Sequence, residues 1–359
     1  MQTRLTQLLN IELPIVQAPM AGGNDARLAI EVSEAGGLGS LPCGMLSADR
    51  ARDALRAIRG RTQRPVNLNF FCHVAPMADA GRQKRWRESL MTYYRELGLE
   101  SEAAAAESNR APFDDAMCEV VEEFRPTVVS FHFGLPSASL VERVRATGAT
   151  ILSSATSVDE ARWLEDHGCD VVIAQGAEAG GHRGMFLTTD PATQIGTIAL
   201  VPLVVDAVSI PVIATGGITD ARGIAAALML GADAVQIGTR YLLCPEATTT
   251  AVHREALMSN GNDVTAITNV FTGRPARGLV NRAMRELGPL SRVAPEYPLA
   301  AIDLGPLRAK AESMGSGDFS PLWSGEAAPL ARTLPAGALT RQLAAETADH
   351  LQAMARKYA

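Results

Sequence analysis

The feature that most narrows the fold of this sequence is a rhythm of short, nearly continuous apolar runs separated by helical patterns. The runs are PIVQAPM (Pro14–Met20), GLGSL (Gly37–Leu41), PVNLNFF (Pro65–Phe71), TVVSFHFG (Thr127–Gly134), ATILSSA (Ala149–Ala155), DVVIAQG (Asp170–Gly176), PVIATGG (Pro211–Gly217) and DAVQIGT (Asp233–Thr239). Strands that are apolar throughout are covered on both faces, as in parallel sheets. Helical stretches such as SVDEARWLEDHG and ITDARGIAAALMLG lie between them. Ser157 is placed to cap the first, with Glu160 completing a capping box. Ala221, Ile224, Ala225 and Leu228 form the buried face of the second. Eight strands with helical crossovers predict an α/β fold, a (β/α)8 TIM barrel. An open doubly wound sheet would put its glycine fingerprint after the first strand, whereas here the glycine-rich corners come late.

Two segments exceed a minimal barrel. Residues 72–126 separate the third and fourth strands, with a helix from Trp86 to Leu97, an alanine-rich turn around Ala103, and an apolar face of Phe113, Met117, Val120, Val121 and Phe124. Beyond Tyr241 the chain runs on through a Pro/Gly-rich stretch to an amphipathic helix carrying Leu339, Leu343, Leu351 and Met354. Both segments leave from the C-terminal rim. The expected division is therefore a barrel of residues 1–71 and 112–243, a helical lid of 72–111 and 244–319, and a segment 320–359 returning to the barrel.

Composition excludes several classes. The 359 residues are 47% hydrophobic and 20% charged, with net charge −6, which provides a core and argues against a nucleic-acid surface. The N-terminus has no basic region followed by a long apolar stretch, and no run is long enough to span a bilayer. Cys43, Cys72, Cys118, Cys169 and Cys244 are odd in number, scattered and without a CxxC pair, so reduced thiols in a cytoplasmic protein are expected. Metal-site, Walker A and nucleophile-elbow motifs are all missing, and no metal is expected.

The late corners carry the chemistry. Gly216 and Gly217 follow the seventh strand, and Gln236, Ile237, Gly238 and Thr239 end the eighth. Glycine lets backbone N–H groups approach a ligand, a helix start adds positive potential, and barrels often bind phosphate after these two strands. Asn69 and Gln175 end two further strands with amides able to donate and accept, as a ring of mixed polarity requires. In QGAEAGGHRG, the glycine-rich loop has no evident packing face, so His182 reads as a proton-transfer or anion-binding residue. Glu178 is either a second acid or an exposed loop carboxylate, and Cys72 a buried thiol. Of the other histidines, His132 is expected to line a ring or orient a loop and His73 to touch the lid, while His167, His253 and His350 read as solvated helix residues.

QAPMAGG, NLNFF, SFHFG, QGAEAGGHRG, ATGGI and QIGTRYLLCPE, followed by FTGRPARGLVNR and LWSGEAA, resemble the nitronate monooxygenases, formerly 2-nitropropane dioxygenases. The long form, with GRPARG and LWSG, is similar to the class I enzymes, and the likeness runs from Gln17 to Trp323. It implies a barrel with a helical lid and noncovalent FMN. Ala18, Pro19 and Met20 would back the flavin ring, and Asn69 and Gln175 would bond its edge. Gly180, Gly181, Gly216, Gly217 and the run Gln236, Ile237, Gly238, Thr239 would hold the ring and ribityl phosphate. His182 matches the catalytic histidine, with His132 and Tyr297 on the substrate side. The reaction implied is oxidation of an alkyl nitronate, of the propionate 3-nitronate class, by O2 to a carbonyl compound and nitrite. Several members carry glutamine where this chain has Glu326. An NAD(P)H-dependent FMN reductase of the enoyl-acyl-carrier-protein or quinone type and a noncatalytic phosphate-ligand-binding barrel are the alternatives. A homo-oligomer is compatible with the sequence.

Overall fold

Each of the eight apolar runs is a parallel strand in the structure, a computed structural model that describes residues 1–77, 79–100, 110–259, 261 and 263–358. The barrel strands are β1 (Ile15–Gln17), β2 (Gly39–Pro42), β3 (Val66–Phe71), β4 (Val128–His132), β5 (Thr150–Ala155), β6 (Val171–Gln175), β8 (Val212–Thr215) and β9 (Ala234–Ile237). They hydrogen-bond in the order β1-β9-β8-β6-β5-β4-β3-β2. A parallel bridge between Val16 and Leu38 closes the ring from β1 to β2. The remaining strands, β7 (Gly181–His182), β10 (Thr265–Thr268) and β11 (Ala276–Leu279), form a small antiparallel sheet.

The two-residue period of a strand sorts these side chains. In β6, Val171 and Ile173 join an inner cluster with Leu5, Leu9, Val128, Leu152 and Ile213, where the first helix (Arg4–Leu9) contributes. Val172 and Ala174 instead pack outward with Leu164, Leu200 and Val204 of the surrounding helices. The same alternation turns Val66, Leu68 and Phe70 of β3 outward. Asn67, Asn69 and Phe71 then fall on the inner face, and so do Ser130 and His132 of β4, Ser154 of β5, Gln175 of β6, Thr215 of β8 and Gln236 of β9. On the outside, Gly39 lets the helix Ala26–Glu34 come close: a Cβ there would lie 1.9 Å from the Ala29 carbonyl oxygen.

The two long segments pack on each other. Trp86, Leu90, Tyr93 and Tyr94 of the helix Ala80–Glu96 are buried against Phe271, Met284, Leu304, Leu307 and Phe319. Trp86 Nε1 donates to the Ala300 carbonyl at 3.2 Å and the Tyr94 hydroxyl to that of Asp303 at 2.6 Å. The alanine-rich turn around Ala103 lies outside the described residues. The closing helix Ala336–Tyr358 packs on the helices Ala26–Glu34 and Ala221–Met229, the crossovers that follow β1 and β8. It therefore fills the outer-ring place beside β9, with Leu339 and Leu343 buried, Leu351 half-buried and Met354 exposed.

The predicted capping box at Ser157 is only half made. Ser157 Oγ accepts from Glu160 N, but the Glu160 carboxylate does not return to the N-cap. It is fully buried, accepting from Thr156 N and Oγ1 at 2.7 and 2.8 Å and from Phe186 N and Leu187 N at 2.6 and 3.2 Å. The tertiary donors outcompete the local one because they satisfy both oxygens of a buried charge.

Candidate active site

A cavity of about 330 Å³ opens at the C-terminal ends of the strands. Ala18, Pro19, Met20, Asn69, His132, Gln175, Gly180, Gly181, His182, Gly216, Gly217, Gln236, Gly238 and Thr239 all line it. Ile237 does not. Odd and even positions of β9 face opposite ways, so Ile237 packs in the outer core while its carbonyl accepts from Ala18 N at 2.9 Å. Tyr297 is also outside the lining, yet its ring centroid is 5.3 Å from that of His182.

The two glycine corners differ. Gly216 (φ +120°) and Gly217 (φ +66°) adopt backbone conformations that side-chain-bearing residues rarely tolerate. The helix after them, Ala221–Met229, is already capped by Asp220, whose carboxylate accepts from Arg222 N and Gly223 N. The open helix start expected at this corner is therefore taken. After β9, by contrast, the short 3-10 helix Thr239–Leu243 begins at Gly238 with no side-chain cap. Gln236 Oε1 is buried and meets no hydrogen-bond donor among the described residues.

The loop after β6 has a packing face after all. Arg183 is fully buried, donating to the carbonyls of Gln175 and Gly176 at 2.6 and 2.8 Å and to Gln194 Oε1 at 2.7 Å. Glycines on either side of this loop gave no hint that an arginine would fold back beneath it. Glu178 is a structural ligand rather than a free acid: its carboxylate accepts from Thr197 N and Oγ1 at the start of the helix Thr197–Val205. Gln175, predicted to meet a ring edge, spends its amide on this loop. Its Oε1 accepts from Gly184 N at 2.7 Å, and its Nε2 donates to the His182 carbonyl at 3.0 Å. Asn69 donates to Ser130 Oγ at 2.9 Å, which fixes the orientation of its amide.

His182 lies in β7, paired with Ala276 of β11, and its Nε2 is 2.9 Å from Thr272 Oγ1. Burial pushes its pKa well below the ordinary value, reinforced by Arg110, His132, Arg274 and His73. The imidazole is neutral near pH 7. His132 is neutral too: burial lowers it to about 3. Its Nε2 is 3.2 Å from the His182 carbonyl, which can only accept, so Nε2 carries the proton and Nδ1 accepts from Ser154 Oγ at 3.1 Å. His132 thus helps hold the loop. His73 is buried and lowered to about 4, first by burial, with its ring 4.8 Å from Tyr297. Burial raises Tyr297 to about 12, and its hydroxyl has no hydrogen-bond partner among the described residues. Cys72 is also pushed up by burial, as a structural thiol would be.

His253, expected in solvent, instead lines the cavity. Burial lowers it to about 4, and its Nε2 donates to the Trp323 carbonyl at 3.0 Å. His167, by contrast, is exposed at the end of its helix, stacked on Trp163. Arg110, Met45, Phe71 and Trp323 also line the cavity. Arg110 comes from the insertion and had no local signal; Trp323 sat in the LWSG segment already noted. Glu326 is turned to Arg277, 2.9 Å from its guanidinium, and is not in the lining. Among the described residues no group of three His, Cys, Asp or Glu could hold a metal ion, and no helix is long and apolar enough to cross a membrane.

Comparison with known proteins agrees over nearly the whole chain. The nitronate monooxygenase family model matches residues 2–346. A nitronate monooxygenase of Pseudomonas aeruginosa is 42% identical over 348 residues, 96% of this chain and 99% of that protein. One of Paraburkholderia phytofirmans is 41% identical, covering 97% and 96%. Among solved structures, the nitroalkane oxidase from Streptomyces ansochromogenes superposes with a TM-score of 0.89 at 40% identity, covering 98% of this chain and 99% of that one. FabK from Thermotoga maritima is similar over the full length of both chains, with a TM-score of 0.75 and 29% identity.

Proposed function

This chain belongs to the nitronate monooxygenase family of flavin-dependent oxidoreductases, and we propose that it uses FMN to oxidise small alkyl nitronates of the propionate 3-nitronate class. O2 would be the oxidant, and a carbonyl compound and nitrite the products. The observation that carries this reading is the electrostatic setting of His182. The charged and ionisable groups that act on it are two guanidiniums, Arg110 and Arg274, and two imidazoles. Such a setting disfavours a cation on His182 and favours an anion beside it.

The residues present suit a flavin mononucleotide. Gly216 and Gly217 form one corner of the cradle, and Gly238 and Thr239, at an uncapped helix start, form the other. Gln236 Oε1 is a buried acceptor of the kind a ring N–H satisfies. Ala18, Pro19 and Met20 would lie behind the ring, with Asn69 at its edge and Gly180 and Gly181 beside it. Gln175 acts here mainly by tying the His182 loop, though its amide retains a second N–H. Bound FMN would supply the electron-transfer chemistry, and the protein orientation and charge.

His182 then has a defined task. A nitronate is already deprotonated, so no strong base is needed, and an imidazole of lowered pKa is a weak one. Binding the anion would itself raise the proton affinity of His182, strengthening the hydrogen bond that holds the substrate. The lid segments, packed on each other and reaching the cavity through Arg110 and His253, would exclude water from it.

Anaerobic mixing of the purified protein with propionate 3-nitronate should change the flavin spectrum, with FMN released intact on denaturation. NADH or NADPH should change it little. Bleaching by a reduced nicotinamide alone would replace this reading with a flavin reductase. A protein that responds to neither would be a binding barrel.

A further inference from the structure

Beside the main cavity lies a second one of about 170 Å³, reached from the surface at Ser47, Asp114 and Ala116. Its deeper wall is Cys43, Phe70 and Phe113, all buried, with Leu46 and Met117 along its side. Phe71 lines both cavities. The partition continues in two adjoining segments. Gly44 and Leu46 face the side cavity while Met45 faces the main one, and Ala111 faces the side cavity while Arg110 faces the main one. The Phe71 ring rests directly on Gly44, where a Cβ would come within 2.5 Å of it.

We propose that this side cavity is the route and holding site for dioxygen, delivered past Phe71 to the main cavity. The proposal rests on the nitronate-oxidising, O2-using reading above. Its lining selects the occupant: the buried wall carries no charged group, and its one thiol is pushed up to about 12 by burial, so it stays neutral. That wall offers an anion or a nicotinamide no charged partner, whereas cavities lined by such apolar side chains take up small apolar gases. Geometry supplies the need. With flavin and nitronate sharing the main cavity of about 330 Å³, a separate apolar entrance would let the oxidant arrive without displacing either.

Xenon-pressurised crystals of the wild-type protein should show xenon in the side cavity against Phe71 and Phe113. Ala116 is exposed on the first turn of the helix Asp115–Phe124, so Ala116→Trp should plug the entrance without disturbing the core, and Ala48→Trp offers a second plug from the opposite side. In whichever variant loses the xenon site, kcat/KM for O2 should fall severalfold, while the anaerobic rate of flavin reduction by nitronate stays at the wild-type value. No xenon in the wild-type cavity, or an unchanged O2 constant in a variant without the site, would overturn the proposal. Failure of the underlying function looks different: the wild-type protein itself would show no nitronate-dependent O2 uptake.

Discussion

The imidazole Nε2 of His182 lies 2.9 Å from the hydroxyl oxygen of Thr272, ninety residues further along the chain. Thr272 Oγ1 is in turn 3.5 Å from the Arg274 carbonyl oxygen. With the hydroxyl hydrogen turned that way, Nε2 holds the imidazole proton and Nδ1 keeps its lone pair. One contact between two rim segments thereby sets both the tilt and the tautomer of the histidine.

This relationship makes a paired prediction. In His182→Ala the flavin should stay bound, because its contacts lie elsewhere. Oxidation of a neutral nitroalkane should fall about 100-fold to 10,000-fold, as loss of a general base does, and oxidation of a preformed nitronate should fall less. Thr272→Val, which keeps the shape but loses the hydrogen bond, should lower the nitroalkane rate by up to about 10-fold. Saturating rates with both substrate forms check this. Equal losses with both would reduce His182 to a binding residue, and no loss with either would remove it from the reaction.

Gly217→Val should weaken FMN binding, measured by titration of the apoprotein. Gly217 has φ +66°, and a Cβ would sit 3.3 Å from the Glu178 Cβ, so the corner would have to rebuild. The cause is backbone strain and a push on the Glu178 side chain, both of which displace the cradle. Unchanged affinity would remove this corner from the cofactor site.

Arg183→Met should cost about 1–3 kcal/mol of stability, because buried acceptors lose their donor and cannot reach water. The carbonyls of Gln175 and Gly176 and the Gln194 side chain are the ones stranded. The expected readouts are a lower melting temperature and a lower nitronate turnover in the protein that remains folded. A melting temperature equal to wild type would mean that the loop is held without the guanidinium.

Stability should rise with pH from about 4 to 6.5 and level off above, since folded His132 sits at about 3 and His73 and His253 at about 4. In that window the unfolded chain binds more protons than the folded one, so acid favours unfolding. Thermal unfolding across this range checks the sign. His132→Asn, which keeps a donor toward the His182 carbonyl, should flatten the slope. A melting temperature that rises on acidification would contradict the neutral, buried state of these imidazoles.

Much of this protein was legible in its sequence because the deciding forces were local. Eight runs of apolar residues fixed the strands, and their two-residue period separates Gln236, inside, from Ile237, outside. Asp220 before a helical pattern is a cap signal, so the closed helix start after β8 was also readable in principle. Gly216 and Gly217 declared a corner that needs positive φ. What the tertiary structure alone decided were contacts between distant segments and the charges that burial controls. No pattern around Gln175 says that its amide will be spent on the His182 loop, nor that Arg183 will fold beneath that loop. Thr272 and Arg110 reach the site from the extension and the insertion, whose path over the rim depends on how Trp86 and Phe319 share a core. His253 shows the limit most plainly. It reads as a solvated helix residue, and only the chain returning through Trp323 removes it from water and takes its proton affinity down.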